Sequence, residues 1–193
     1  MKDIIINKNE DGSNLIALVE NGKLIEKYDD DEESWYYADG SGNLYAGEFK
    51  TIKGKKYAFR NDGRMLTGLK FIKEGDEDFA DVKADDSRPF DNEDDFFDNA
   101  IEFYEPNGYK CYYFGGGDDG AMRTGKTTIN YDGENTSFYF EKSGGKKGAG
   151  VTGEKDDKLY QSGMLLKADS ADKYIVVDKA TKTVNGKTVV TYD

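Results

Sequence analysis

Polar and apolar positions alternate along most of this chain in short runs broken by Gly, Asn and Asp, the period of a half-buried strand rather than of a helix. "KKYAF" at 55–59 shows it most clearly, reading polar, aromatic, small, aromatic. "NDG" at 61–63 then supplies a turn, and "RMLTG" at 64–68 is predicted to start the return strand of a β-hairpin. The same order occurs upstream in "SWYYADGSGNLYAGEFKTI" at 34–52, and the closing glycines of the two stretches, Gly47 and Gly68, are 21 residues apart. A third unit, "KCYYFGGGDDGAMRTGKTTI", closes at Gly125. A fourth, "TSFYFEKSGGKKGAGVTG", leads with Phe138, Tyr139 and Phe140, and a shorter fifth, "DKLYQSGMLLKAD", keeps Tyr160, Gly163 and Met164. One hairpin is not stable alone in water, so such units are expected to stack until their rings cover one another.

One segment follows a different period. In "DNEDDFFDNAIEFYEPNG", Phe96, Phe97, Ala100, Ile101 and Tyr104 form the stripe of a short amphipathic helix, with acidic residues at its start and Pro106 and Gly108 at its end. The expected fold is therefore all-β: stacked β-hairpin repeats forming a β-solenoid, with one short helix in an acidic insertion. The expected layout is an N-terminal β segment at 1–33, a first repeat pair at 34–72, and the acidic insertion at 73–109. A second repeat group at 110–177 and a C-terminal capping hairpin at 178–193 complete it. Within the N-terminal segment "NLIALVENGKLIEKY" has the repeat's shape around Asn21 and Gly22. The insertion is expected to carry a mobile loop before its helix, packed on the solenoid, and the last hairpin turns at Asn185 and Gly186.

Composition narrows the chemistry. The apolar fraction of 36% is low, while 14 Tyr and 11 Phe are many, so rings must supply most of the buried area. A net charge of −12 repels phosphate-rich partners, and direct nucleic-acid binding is not expected. A single cysteine, Cys111, excludes an internal disulfide, and the absence of His removes the commonest metal ligand and general base. No run is long enough for a membrane span, and the short Ile4 to Ile6 run is too short for a signal-peptide core.

"KKYAFRNDGRMLTGL", "CYYFGGGDDGAMRTG" and "SFYFEKSGGKKGAGVTGEKDDKLYQSGMLLKAD" resemble the cell-wall-binding repeats of Gram-positive bacteria, the group that includes choline-binding and glucan-binding repeats. The resemblance covers roughly 34–177, interrupted by the acidic insertion. It implies a solenoid of hairpins with ligand sites between neighbours, lined by aromatics of each. Choline-binding members build a Trp-rich cage. Here Trp35 is the only Trp and Tyr or Phe stands at the later positions, which suits stacking on a sugar ring better. The ligand-binding residues expected on this basis are Trp35, Tyr36, Tyr37, Tyr57, Tyr112, Tyr113, Tyr139 and Tyr160, with Phe59, Phe114 and Phe138 as further rings. Alternation sends about half or more of them inward, and Tyr36, Tyr57 and Tyr113, as Tyr in aromatic doublets, are the preferred candidates.

Three other motifs are weighed and set aside. "DNEDDFFDNAIE" places Asp91, Glu93, Asp95 and Glu102 at EF-hand positions, but Phe96 stands where the turn needs Gly. "DGSGN" at 39–43 and "GGGDDG" at 115–120 offer oxygens for calcium and read more simply as wide turns. Gly120 to Thr127 fits a phosphate-loop pattern, yet β-prone "TTINY" follows where a helix must open. No metal, cofactor or catalytic residue is expected.

The expected function is thus non-catalytic recognition of bacterial cell-wall or host glycan, at an extracellular or cell-surface location. The alternative is an acidic, cytoplasmic, phage-type inhibitor that mimics nucleic acid and binds a basic protein partner. It draws on the net charge and the acidic runs "YDDDEES" and "GDEDFADVKADD".

Overall fold

Alternation becomes strand in most of the computed structural model, which describes residues 2–8, 14–20, 23–30, 35–83, 92–117, 119–131, 133–168, 171–184 and 186–192. β1 (Lys2–Lys8), β2 (Asn14–Glu20) and β3 (Lys23–Asp30) form an antiparallel sheet in that order. β4 (Glu48–Ile52) and β5 (Lys55–Phe59) form a hairpin. β6 (Leu69–Glu74) lies between β7 (Phe79–Lys83) and β8 (Lys110–Tyr113). β9 (Gly125–Tyr131), β10 (Glu134–Phe140), β11 (Gly153–Lys155), β12 (Lys158–Gln161) and β13 (Met164–Leu165) make one sheet in the order β11-β12-β13-β10-β9. The expected terminal hairpin is β14 (Lys179–Val184) paired with β15 (Lys187–Tyr192). The chain is mostly β, in several small antiparallel sheets, with one short helix. The turn at Asn21 and Gly22, Asn185, and 84–91 of the expected loop lie outside the described residues. Earlier in that loop, 79–83 are strand rather than loop, paired beside β6 with Phe79 buried.

The hairpin frame is offset from the expected one. The aromatic strand β5 comes second, paired with β4, and "RMLTG" forms no strand. The return toward β5 is kept short: Met65 makes a single antiparallel bridge with Phe59 and no ladder follows. Arg60 N–H donates to the Arg64 carbonyl, Gly63 N–H donates to the Arg60 carbonyl, and buried Asp62 accepts from the Arg64 backbone at 3.0 Å and its guanidinium at 2.8 Å. The chain leaves this closed turn with two partners. Leu66 N–H donates to Ala58 of its own unit, and Met65 N–H donates to Trp35 of the preceding one, each at 2.8 Å.

The same pattern recurs farther along. Val151 N–H donates to Tyr139 of its own unit, and Gly150 N–H to Cys111 of the preceding one. These bonds put the repeats in one frame: Tyr36, Tyr57, Tyr112 and Phe138 correspond, as do Tyr37, Ala58, Tyr113 and Tyr139. The closing glycines also have a shared task. Gly47 donates to the Arg60 carbonyl and accepts from Phe79 N–H, at φ +69°. A Cβ there would collide with Asn61 and Asp78, so only Gly permits the approach.

Contacts divide the chain into two units. The first comprises 1–68, 75–79 and 114–121, and the second 69–74, 80–113 and 122–193. In the first, Ala58, Phe59, Leu66 and Phe114 are buried, and Phe79 meets Phe49 edge-on at 4.9 Å. In the second, the predicted helix is central to the core. α1 (Glu93–Asn99) starts at Asn92, whose side chain accepts from Asp95 N–H, and continues through a π-helical turn (Ala100–Tyr104) and a 3-10 turn (Glu105–Asn107). Phe96, Ala100, Ile101 and Tyr104 are buried and Phe97 is partly so. Phe71 of β6 stacks on Tyr104 at 4.0 Å and lies 5.3 Å from Phe96, which meets Phe138 of β10 edge-on at 5.4 Å. A helix read as decoration on a repeat array thus joins two of its sheets, because the strands supply too few aliphatic residues to close a core between themselves.

Candidate functional site

In the first unit, three ring-bearing residues stand before a wide turn. Asp39 fixes that turn: its Oδ1 accepts from Ser41 N–H at 2.8 Å and Asn43 N–H at 3.0 Å. The Asn43 and Ser41 bonds hold its carboxyl below the usual carboxylate range. "DGSGN" is therefore an Asx-type turn with its carboxylate already engaged. It brings Tyr45 back against Tyr37, with ring centroids 5.8 Å apart and planes 11° from parallel. Tyr45 also lies 6.2 Å from buried Phe59, and the Lys50 ammonium stands 4.2 Å over the Tyr45 ring. Trp35 is 53% exposed and Tyr37 41%, while Tyr36 and Tyr45 are half-buried. The result is an anchored aromatic surface with free ring area, flanked by one ammonium.

The remaining predicted rings lie elsewhere. Tyr57 is half-buried on β5. Tyr113 is half-buried and stacks on Phe140 at 6.4 Å. Tyr112, Tyr139 and Tyr160 are interior residues: Tyr139 and Tyr160 pack on each other at 5.7 Å beside Val151. The Tyr112 hydroxyl donates to Glu74 Oε1 at 3.3 Å, and burial together with the Glu74 charge pushes its ionisation up. Such rings have no face left for a sugar. Tyr45 and Lys50 were not singled out from the sequence. The available signal was that Tyr45 stands where the next unit has Leu66, an aromatic replacing an aliphatic two residues before the closing glycine.

A second concave feature belongs to the second unit. A cavity of about 640 Å³ is lined by β8, the turn at 149–152, Ser162, part of β15 and Glu105. Glu105 Oε1 accepts hydrogen bonds from the Ser162 hydroxyl at 2.5 Å and from the Thr152 hydroxyl. Burial raises the Glu105 carboxyl above its ordinary range despite these two donors. Cys111 also lines the cavity. It is buried, and desolvation with the nearby Glu105 charge pushes its thiol well up, so it is an inert core thiol rather than a nucleophile.

Among the described residues no group of three or more acidic or Cys side chains is arranged to hold a metal, and no helix is long and apolar enough to cross a membrane. Gly125 opens β9, not a helix, so the phosphate-loop pattern lacks its required context.

No protein-family model and no curated protein matches the chain. Among solved structures it is similar to choline binding protein F from Streptococcus pneumoniae, determined in the presence of a peptidoglycan analogue. Identity is 20% and the TM-score 0.42, over 96% of this chain and 49% of that one. It is similar also to CbpJ from Streptococcus pneumoniae, at 19% identity and TM-score 0.23, over 97% of this chain and 70% of that one. An alternansucrase in complex with isomaltononaose matches at 17% identity and TM-score 0.21, over 97% of this chain and 12% of that one. The chain spans about half the length of choline binding protein F.

Proposed function

We propose that this chain is a non-catalytic glycan-binding module, acting at a bacterial surface on envelope or host carbohydrate. The observation that carries the reading is the pair of exposed rings Trp35 and Tyr37, the latter stacked on Tyr45 with Lys50 over that ring. A pyranose ring presents an apolar C–H face that packs on an aromatic ring, and hydroxyls that hydrogen-bond to Tyr and Lys groups at its edge. Lys50 already stands over the Tyr45 ring, which makes that ring a poor seat for a quaternary ammonium and favours a sugar there.

The repeated hydrogen bonds from one unit to the one before it, Met65 to Trp35 and Gly150 to Cys111, support a solenoid-like stacking of repeats. Tyr57 and Tyr113 are the repeat positions where further, weaker sugar contacts are proposed, and several weak sites on one array add avidity.

The test is a pull-down of purified protein on isolated Gram-positive cell walls, with and without teichoic acid removed, run beside a glycan array. The expected result is binding that a Trp35→Ala, Tyr37→Ala variant loses while its thermal transition is retained. Failure of the folded wild-type protein to bind any wall or glycan sinks the reading.

A further inference from the structure

The cavity beside Glu105 has a donor–acceptor balance that the aromatic surface lacks. Two hydroxyls of its wall spend their protons on the same oxygen: Ser162 and Thr152 donate to Glu105 Oε1, and neither reaches Oε2, while the Tyr109 hydroxyl donates to Asp81. Thr152 Oγ1 also accepts from Ser162 N–H at 2.9 Å. What remains beside Glu105 is acceptor capacity, on its Oε2 and the Ser162 oxygen, with the donors Lys110, Lys146 and Thr188 elsewhere on the wall. The other carboxylates of the wall have cations of their own. Glu74 pairs with Lys110 at 3.4 Å and Glu141 with Lys155 at 3.7 Å, whereas no ion pair joins Glu105 to a Lys or Arg among the described residues. Ile72, Val151 and Val189 add apolar wall.

Position adds an independent reason. Glu105 sits where the helical run of 93–107 ends, and an anionic side chain at a helix C-terminus meets the negative end of the dipole. A desolvated carboxylate, placed against the dipole and without a cation, breaks local rules in a way expected of a site.

We propose that this cavity binds a small primary ammonium compound with an aliphatic body, its N–H groups donating to Glu105 Oε2 and Ser162 Oγ and its chain lying along Ile72, Val151 and Val189. Beside Glu105 an anion is disfavoured, and a hydroxyl supplies only one donor. A quaternary ammonium has no N–H to give. The site is independent of the glycan-binding reading, and either can fail without the other.

The experiment titrates n-hexylammonium into the isotopically labelled full chain and follows amide shifts, with n-hexanol and hexyltrimethylammonium as matched probes. Saturable shifts at Lys110, Gly150 and Ser162 are expected with hexylammonium. Each of the other two probes is expected to bind at least ten-fold more weakly. Glu105→Gln, which keeps the acceptor for both hydroxyls, is expected to weaken hexylammonium binding at least ten-fold. Thr188→Trp, at the exposed rim of the cavity, is expected to block it without unfolding the chain. Equal binding of hexanol, undiminished binding to either folded variant, or no saturable shift in the wild-type protein overturns the proposal.

Discussion

Met122 lies against Gly148 so closely that any side chain at 148 would occupy the space of the thioether. The same relationship joins Met65 to Gly120. In both pairs the methionine follows the aromatic strand of one repeat and the glycine belongs to the turn of the next. Gly120 and Gly148 both have positive φ, +63° and +88°. The repeated glycine is therefore a packing requirement as well as a turn requirement. Gly148→Ala is expected to destabilise by about 2 kcal/mol or more, from left-handed backbone strain plus displacement of Met122. Gly144 offers the control. Its φ is +77° but a Cβ there meets nothing within 4 Å, so Gly144→Ala should cost only about 1 kcal/mol. Urea unfolding of both variants checks the difference.

Phe96 is expected to be the helix's most costly truncation. It is fully buried and touches Phe71 of one sheet and Phe138 of another. Phe96→Ala should lose about 3–5 kcal/mol. Phe97→Ala, one position round the helix and only partly buried, should lose clearly less. Equal losses, measured by chemical denaturation, would contradict a core organised on the face of Phe96, Ala100 and Tyr104.

Much of this architecture was readable from residue types. The helix stripe from Phe96 to Tyr104 was legible because a 3.6 period stands out against a background of period two. The hairpins were legible as alternation, yet their pairing was not. "KKYAF" looks equally able to pair forward with "RMLTG" or backward with "EFKTI", and it does both, by one Phe59–Met65 bridge forward and a full ladder backward. The aromatic candidates were found as a class, and the preference for Tyr36, Tyr57 and Tyr113 did not pick out the exposed rings, Trp35 and Tyr37. Tyr112 and Tyr113 are adjacent and chemically alike, and which one turns inward follows from the strand's register against β6. The Glu105 cavity left no trace in sequence, since its wall comes from segments as distant as Ile72 and Val189.

Trp35 and Tyr37 should separate binding from stability. Their rings are more than two-fifths exposed, so removing both is expected to change unfolding free energy by less than about 1 kcal/mol, the Tyr37–Tyr45 stack accounting for most of it. Glycan binding should fall at least ten-fold. Lys50→Ala is expected to weaken binding less, because it removes an edge contact and leaves the stacking faces. Intrinsic tryptophan fluorescence gives a direct readout, Trp35 being the only Trp: a sugar settling on its exposed ring should shift the emission to shorter wavelength.

Glu105 gives a stability prediction with a definite sign. Its carboxyl ionises above the ordinary value near 4.5 in the folded chain, because burial outweighs the Ser162 and Thr152 hydrogen bonds. Between the unfolded and folded values the native state binds the additional proton, so stability falls as pH rises through that window and stays reduced above it. At neutral pH the ionised Glu105 is therefore a net burden on folding. Glu105→Gln removes the ionisation and keeps an acceptor for both hydroxyls. It should raise the urea midpoint at pH 7, and the advantage should shrink on acidification and vanish below about pH 4, where the wild-type carboxyl is protonated in both states. Urea midpoints of the two proteins across that range are the measurement. A variant less stable than wild type at pH 7 would mean that the hydroxyl bonds to the charged form dominate, and that the carboxylate is held for the fold rather than for a ligand.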